Sequence, residues 1–238
     1  MEHTLDGAGT IAPPTIWLRT VLAKNGLQAS DQQLGQIDAF VGYLLDWNSK
    51  VNLISRKDTE NIWRAHILHS ASVLLLFKFQ EGSTLLDLGS GGGLPGVVIK
   101  ILRPDLIVTC LDSTRKKMDA VSDMIGRLGL TGCYTAWGRA EVLGKIPPLA
   151  ASFDIIVARA VAPLRDLALW SRPFLRHSSA TRPHTPTLVA LKGGEVEREC
   201  AQTKALPGVA SVRASALQFA GSEEIPGVDK KAVIVEFD

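Results

Sequence analysis

The segment Leu85-Leu86-Asp87-Leu88-Gly89-Ser90-Gly91-Gly92-Gly93-Leu94-Pro95-Gly96 constrains the fold of this chain more than any other stretch. An apolar run carrying one acid gives way to glycines and a proline, and the apolar Val97-Val98-Ile99 follows. That order predicts a buried strand, a tight turn and the start of a helix. Glycine reaches positive φ and lets the backbone come close to a ligand. A helix start also has N–H groups without helical partners. The pattern therefore predicts a site for a small nucleotide-like molecule.

Gly91, Gly93 and Gly96 satisfy the G-x-G-x-x-G of dinucleotide folds, a short match that carries little weight by itself. Asp87 adds more, because with Gly89, Gly91 and Gly93 it makes Asp-x-Gly-x-Gly-x-Gly. A carboxylate at that point repels a pyrophosphate. It suits a cofactor that carries positive charge, such as the amine and sulfonium of S-adenosylmethionine. A strand–turn–helix that binds nothing is the structural alternative.

A chain of 238 residues accommodates one domain of ordinary size plus a small appendage. With 46% hydrophobic and 21% charged residues it can bury a real core. The longest uncharged, apolar-rich helical stretch, Ala65 to Phe77, is too short to span a bilayer. Met1 to Thr10 carry acids and lack a basic n-region or apolar h-region, which argues against a secretory signal. Cys110, Cys133 and Cys200 form no CxxC pair and suit a reducing compartment. A cytoplasmic, monomeric protein with no metal and no membrane partner is expected. The net charge of +2 permits a nucleic-acid partner without requiring one. Basic residues gather at Lys50, Arg56, Lys57 and Arg64, and again at Arg159, Arg165, Arg172, Arg176, Arg182 and Lys192. Ordinary solvated surface is the alternative reading of each group.

The first 80 residues read as a helical cap and residues 81–238 as an α/β domain. Pro13-Pro14 opens one helix ending near Asn25-Gly26, and Ser30-Asp31 caps a second that reaches Trp47. A third is expected from Asp58 to Phe77. Strands are predicted at Thr84–Leu88, Ile107–Leu111, Cys133–Trp137, Phe153–Ala158, Thr187–Leu191, weakly at Ala214–Phe219, and at Ala232–Phe237. Helices are predicted at Pro95–Leu102, Thr114–Leu128 and Leu164–Leu175. The alternation implies a doubly wound, Rossmann-like, mostly parallel sheet. The short connection at Ile225-Pro226-Gly227 predicts an antiparallel last strand. His177–Thr187 is expected to be an exposed loop.

Ligands of open α/β sheets bind at the strand C-termini. Asp87, Gly89, Gly91 and Leu94 follow the first strand. Asp112 ends the second, where an acid binds ribose hydroxyls or instead caps the next helix. Arg139-Ala140-Glu141 follows the third, within reach of an adenine, although Glu141 equally suits a solvated helix start. Arg159 follows the fourth strand, with an ion pair to Asp154 or Asp166 as its structural alternative. Lys192 follows the fifth. Gly89, Gly91, Leu94, Asp112, Ala140, Glu141 and Arg159 are thus the expected cofactor contacts. Lys50, Arg56, Lys57, Arg64, Arg165 and Lys192 are the candidates for holding a nucleic acid.

The chain resembles the bacterial small-subunit ribosomal RNA guanine-N7 methyltransferases, also called glucose-inhibited division protein B. The resemblance rests on Trp47-Asn48 through Asn52-Leu53, on Asp87 through Gly96, and on Leu111-Asp112-Ser113 with Lys116-Lys117. Gly138-Arg139-Ala140-Glu141, Ala158-Arg159-Ala160 with Ala162-Pro163-Leu164, and Ala190-Leu191-Lys192-Gly193 extend it over roughly residues 38–238. It implies a class I methyltransferase fold, S-adenosylmethionine as cofactor, and cofactor contacts at Gly89, Leu94, Ala140, Glu141 and Arg159 in particular. It further implies ribosomal RNA, in the small subunit or its precursor, as the partner. One departure is His69, where the family usually has an aspartate. His66 and His69 are spaced i, i+3, but without an accompanying acid or cysteine they make a poor metal site.

Missing motifs narrow the acceptor. After the fourth strand the chain has Ala158-Arg159-Ala160-Val161-Ala162-Pro163, not the Asp/Asn/Ser-Pro-Pro-aromatic string of amine methylation. No cysteine is placed for attack on a pyrimidine carbon. Guanine N7 has an in-plane lone pair and no proton to lose, so it needs no general base. In an RNA helix N7 lies in a deep groove, so the guanine must be looped or splayed out. Trp47 and Trp63 suit stacking on a base or, more simply, core packing. Two rivals remain: a nicotinamide-dependent oxidoreductase, and a non-catalytic RNA-binding protein that senses S-adenosylmethionine.

Overall fold

The structure, a computed structural model, describes residues 13–159, 161–178, 183–227 and 229–238. Arg182 and the segment Met1–Thr10 lie outside the described residues. Helix α1 spans Pro14–Lys24 and α2 spans Asp31–Asn48. Ser30 caps α2 with a complete capping box: its side chain accepts from Gln33 N while Gln33 accepts from Ser30 N. The expected third helix is broken into three. A 3-10 turn covers Arg56–Asn61, a π-helical turn covers Trp63–Leu68, and α3 begins only at His69 and ends at Leu76. The apolar pattern of this stretch predicted one regular helix; a π turn shifts the face that follows it without changing the composition.

The strands are β1 (Thr84–Leu88), β2 (Ile107–Asp112), β3 (Cys133–Trp137), β4 (Ile155–Arg159), β5 (Thr187–Gly193), β6 (Val209–Ala216) and β7 (Lys230–Phe237). Between them lie α4 (Gly96–Leu102), α5 (Arg115–Leu128), α6 (Ala140–Leu143), α7 (Leu164–Ser171) and α8 (Glu197–Lys204). The sheet order is β3-β2-β1-β4-β5-β7-β6, parallel from β3 through β5. β7 runs antiparallel to both β5 and β6, as expected for the last strand. The weakly patterned sixth strand lies upstream of its expected place, at Val209–Ala216 rather than Ala214–Phe219. It is an edge strand with half or more of its residues exposed, so little apolar periodicity marks it. The seventh helix stops at Ser171, where Pro173 ends regular hydrogen bonding and a 3-10 turn follows.

The helices before residue 80 are packed against the sheet rather than hung beside it. Leu18, Leu22, Ile37, Phe40, Leu44, Ile67 and Leu68 join Leu85, Val98, Val108 and Val121 in one buried cluster on one face. A second cluster on the other face includes Leu86, Leu88, Ile156, Leu164, Phe174 and Val235. Trp47 packs against the first cluster and donates Nε1–H to Asp123 at 2.7 Å, and Trp63 packs there too. Among the described residues no helix is long and apolar enough to cross a membrane.

Candidate functional site

Strand order reverses between β1 and β4, so the chain leaves these neighbours toward opposite edges and opens a crevice at their C-terminal ends. A cavity of about 830 Å³ lies there, within the usual size of small-molecule sites. All seven expected cofactor residues line it: Gly89, Gly91, Leu94, Asp112, Ala140, Glu141 and Arg159. They share one mouth because parallel strands deliver their C-termini to one edge.

The glycine turn is tightly tied. Gly89 N and Ser90 N both donate to Leu111 O, at 2.8 and 2.9 Å. Gly89 has φ +74, and a Cβ there would lie 2.6 Å from Val161 Cγ2, so its glycine lets the segment after β4 close over the turn. A Cβ on Gly91, which has φ +55, would meet nothing closer than Leu53 O at 3.8 Å, so this part of the backbone borders open space.

Asp87 is fully buried, and its Oδ2 accepts from Gly96 N at 2.7 Å. The expectation that this helix start offers a free N–H to a ligand is therefore corrected: the chain's own carboxylate holds it. A pyrophosphate would have to displace that carboxylate, which removes the main support for a dinucleotide. Burial raises the Asp87 pKa from 3.8 to about 7, while the Gly96 N–H and the Arg159 charge pull it back. Its other oxygen, Oδ1, has no hydrogen-bond partner.

Asp112 performs its structural role without being used up. Oδ1 accepts from Thr114 N at 2.8 Å, at the start of α5, and Oδ2 accepts from Gly91 N at 3.1 Å. Each carboxylate oxygen has a second acceptor site, so a ligand's hydroxyls still find lone pairs. Ala140 is buried under the cavity floor, whereas Glu141 is exposed in the first turn of α6.

Arg159 makes neither of the ion pairs considered for it. Asp154 lies at the opposite end of β4, about 16 Å away at strand rise, and pairs with Arg176 at 2.9 Å. Asp166 faces Arg165 at 3.9 Å. Arg159 instead donates Nη1–H to Ala65 O at 3.3 Å and Nη2–H to His66 Nδ1 at 2.9 Å. Burial lowers its pKa to about 10, against the opposing charges of Asp87 and Asp58.

The π turn brings His66 and, one turn on, His69 to the cavity wall beside Asp58. Sequence reasoning weighed the two histidines as metal ligands and noted His69 as a departure from the family's aspartate, but passed over Asp58, which lies 3.5 Å from His66 Nε2. Among the described residues no group of three or more His, Cys, Asp or Glu is arranged to hold a metal. Both rings are held neutral: the pKa of His66 is lowered from 6.5 to about 4, and that of His69 to about 3. Burial is the main cause for each, and the Arg159 charge adds to it.

These shifts set a pH dependence of stability. The unfolded chain protonates both histidines below pH 6.5 and the folded chain resists, so stability is full above 6.5 and falls as pH drops toward 4 and 3. Asp87 works in the opposite sense, its contribution falling as pH rises from 3.8 through about 7. Two histidines outweigh one carboxylate, so the protein is expected to lose stability on acidification from pH 6.5 to 4.5. His69→Asn should flatten that slope in urea denaturation curves; an unchanged slope would show that His69 protonates freely in the folded state.

None of the six candidates for holding nucleic acid lines the cavity. Arg56 and Lys57 are exposed on the 3-10 turn leading to Asp58. Lys50 is exposed but pairs with Asp46 at 2.9 Å. Arg64 pairs with Glu224 at 2.9 Å and covers the Trp17 ring. Arg165 is exposed on α7. Lys192 is largely buried, donating to Ala162 O at 3.0 Å and pairing with Glu199 at 2.8 Å. Because Glu199 also accepts from Leu164 N, Lys192 fixes the start of α7 behind the site. Arg172 and Arg176 are likewise tied to the fold, by Pro207 O and Asp154. Cations that do line the cavity are Lys117, Arg139 and Lys230. Arg139 was visible as a residue following a strand; Lys230 is the first residue of β7, at the start of a strand and two residues before the expected Ala232, where strand-end reasoning did not reach.

Residues 33–226 match the family described as "GidB: rRNA small subunit methyltransferase G". Among curated relatives of that name, the Moorella thermoacetica protein is 38% identical over 63% of this chain and 63% of its own length. The Exiguobacterium sibiricum protein is 35% identical over 92% of this chain and 88% of its own. A crystal structure described as a SAM dependent methyltransferase from Aquifex aeolicus aligns with a TM-score of 0.53 at 16% identity, over 77% of this chain and 96% of that one, a likeness of fold. With the glycine turn, the strand order and this match over most of its length, the chain belongs to the rRNA small subunit methyltransferase G family.

Proposed function

We propose that this protein transfers a methyl group from S-adenosylmethionine to N7 of a guanine in small-subunit ribosomal RNA. The observation that carries the reading is Asp87: a buried carboxylate directly beneath the glycine turn holds the helix start where a pyrophosphate would bind, and its second oxygen has no hydrogen-bond partner. That arrangement favours a cationic ligand over an anionic one. We assign cofactor contacts to Gly89, Gly91 and Leu94 along the turn, Asp112 at the ribose, Ala140 and Glu141 at the adenine, and Arg159 at the reacting end. Bound there, the cofactor supplies an electrophilic methyl group. The helices before residue 80 form the cap that closes the acceptor side, and exposed Arg56, Lys57 and Arg165, with Lys50, meet RNA phosphates. Their cavity-lining companions Lys117, Arg139 and Lys230 extend the same positive rim.

The chemistry asks the protein for alignment and charge dispersal rather than proton removal. The histidines nearest the site are neutral in the physiological range, and Arg159 stays protonated. Asp87 is sealed against Gly96 N. Single-turnover methylation of small subunits from cells lacking this protein should therefore change less than about threefold between pH 7.5 and 8.5. Between pH 6 and 7.5 ionisation of Asp87 adds at most a shallow rise through cofactor affinity. A log-linear rise across the whole range, lost when one carboxylate or histidine is replaced, would move the acceptor to a nitrogen that must lose a proton.

A further inference from the structure

The cavity has two halves. The ends of β1, β2 and β3 carry Gly89, Asp112 and Glu141, and the other half is walled by Asp58, His66, His69, Arg159 and Lys230. Asp112 and Glu141 belong to the first half, so Asp58 is the one carboxylate among the described residues that lines the second. It stands on the 3-10 turn Arg56–Asn61, lines the cavity and has a side chain 43% accessible.

Asp58 is held in a defined setting. Arginine has only donors, so the 2.9 Å contact from Arg159 Nη2 makes His66 Nδ1 the acceptor and places the ring proton on Nε2. That Nε2 is buried, has no hydrogen-bond partner and lies 3.5 Å from Asp58 Oδ2. An Arg159–His66–Asp58 row therefore runs from the end of β4 to the 3-10 turn Arg56–Asn61. The donor side of His66 faces the carboxylate and steadies it.

A carboxylate is an acceptor-only group with two parallel oxygens. Guanine alone among the four bases presents two adjacent donors on its Watson–Crick edge, N1–H and the N2 amine. Adenine and cytosine place a ring-nitrogen lone pair beside their amine, and uracil flanks one N–H with two carbonyls. A base extracted from its stack is read on that edge. We propose that Asp58 reads the N1–H and N2 amine of the acceptor guanine, with His66 as its positioning residue and Lys230 and Arg159 supplying donors to O6. This rests on the reading above that guanine is the acceptor. It also gives Asp58 a part in the reaction, since methylation at N7 leaves the base cationic and a fixed carboxylate stabilises that charge.

The test uses the full-length protein, methyl-labelled S-adenosylmethionine and small subunits from cells lacking this protein, with the labelled position mapped. Asp58→Asn preserves size and replaces one acceptor by a donor. Its affinity for S-adenosylhomocysteine should stay within about threefold of the parent, while kcat/KM for transfer falls about 100-fold or more. In the second arm the subunits carry inosine, which lacks the N2 amine, at the mapped position. The parent protein should lose at least about tenfold on inosine, and Asp58→Asn should show no further loss. Transfer by Asp58→Asn within about threefold of the parent, or an equal inosine penalty in both proteins, would overturn the assignment of Asp58. Absence of label at any guanine with the parent protein would overturn the functional reading and this inference together.

Discussion

Gly96→Ala is expected to destabilise the fold by about 2.5–6 kcal/mol, through an overpacking cost of about 1–3 and a lost charged hydrogen bond of about 1.5–3, and to abolish measurable cofactor binding. A Cβ at this position would lie 2.7 Å from Asp87 Oδ2 and 2.8 Å from Asp87 Cβ. Asp87 is fully buried between β2 and β4 and has nowhere to retreat. Moving it breaks the Gly96 N contact and disturbs the strand end from which the glycine turn departs. For folding stability Gly91→Ala is the control: it suffers only the left-handed φ, worth about 1–2 kcal/mol, because its Cβ would meet nothing closer than Leu53 O at 3.8 Å. Urea denaturation and calorimetry with S-adenosylhomocysteine measure both. Equal losses of folding stability from the two substitutions would show that Asp87 is not the anchor of the turn.

Arg159→Met should lower methyl transfer by about 10³, the scale of losing a preorganised charged group at a reacting centre. The guanidinium ties Ala65 O and His66 Nδ1 of the π turn to the end of β4 and offsets the charge of Asp87. Methionine keeps the apolar stem and removes all three interactions. Without that cation the Asp87 carboxyl, already raised to about 7, moves higher and is protonated at neutral pH. Cofactor affinity should then shift its rise to higher pH. Arg159→Lys should recover less than about tenfold, because one ammonium cannot reproduce the planar fork that spans two acceptors. Transfer by Arg159→Met within about tenfold of the parent would remove Arg159 from the site.

The half of the cavity at the ends of β1, β2 and β3 was legible in the sequence because its logic is local. Apolar runs of five or six residues locate the parallel strands, and the residue after each run is carried to the same edge of the sheet. Asp112 and Ala140 needed nothing more than that. The half walled by Asp58, His66 and His69 was not legible, for a physical reason. Asp58, His66 and His69 are placed by a 3-10 turn and a π turn inside a stretch whose apolar pattern reads as one plain helix. Lys230 reaches the cavity from the first position of β7, outside the apolar run that marks that strand. Composition could not separate cations that meet solvent from those committed to the fold: Lys192 and Arg176 look like Arg56 in the sequence, yet each holds a buried carboxylate or a helix start. Such assignments depend on long-range partners, which spacing alone does not reveal.

The most direct measurement is the chemical identity of the transferred group's position. Small subunits from cells lacking this protein are incubated with it and methyl-labelled S-adenosylmethionine, and the RNA is then treated with borohydride and aniline, which cleave at 7-methylguanine. The expected result is close to one label per subunit, in a single guanine, at a site that becomes cleavable only after incubation. Label at an exocyclic amine or a ring carbon, or cofactor binding with no label in the RNA, would contradict the assignment of this protein as a guanine-N7 methyltransferase.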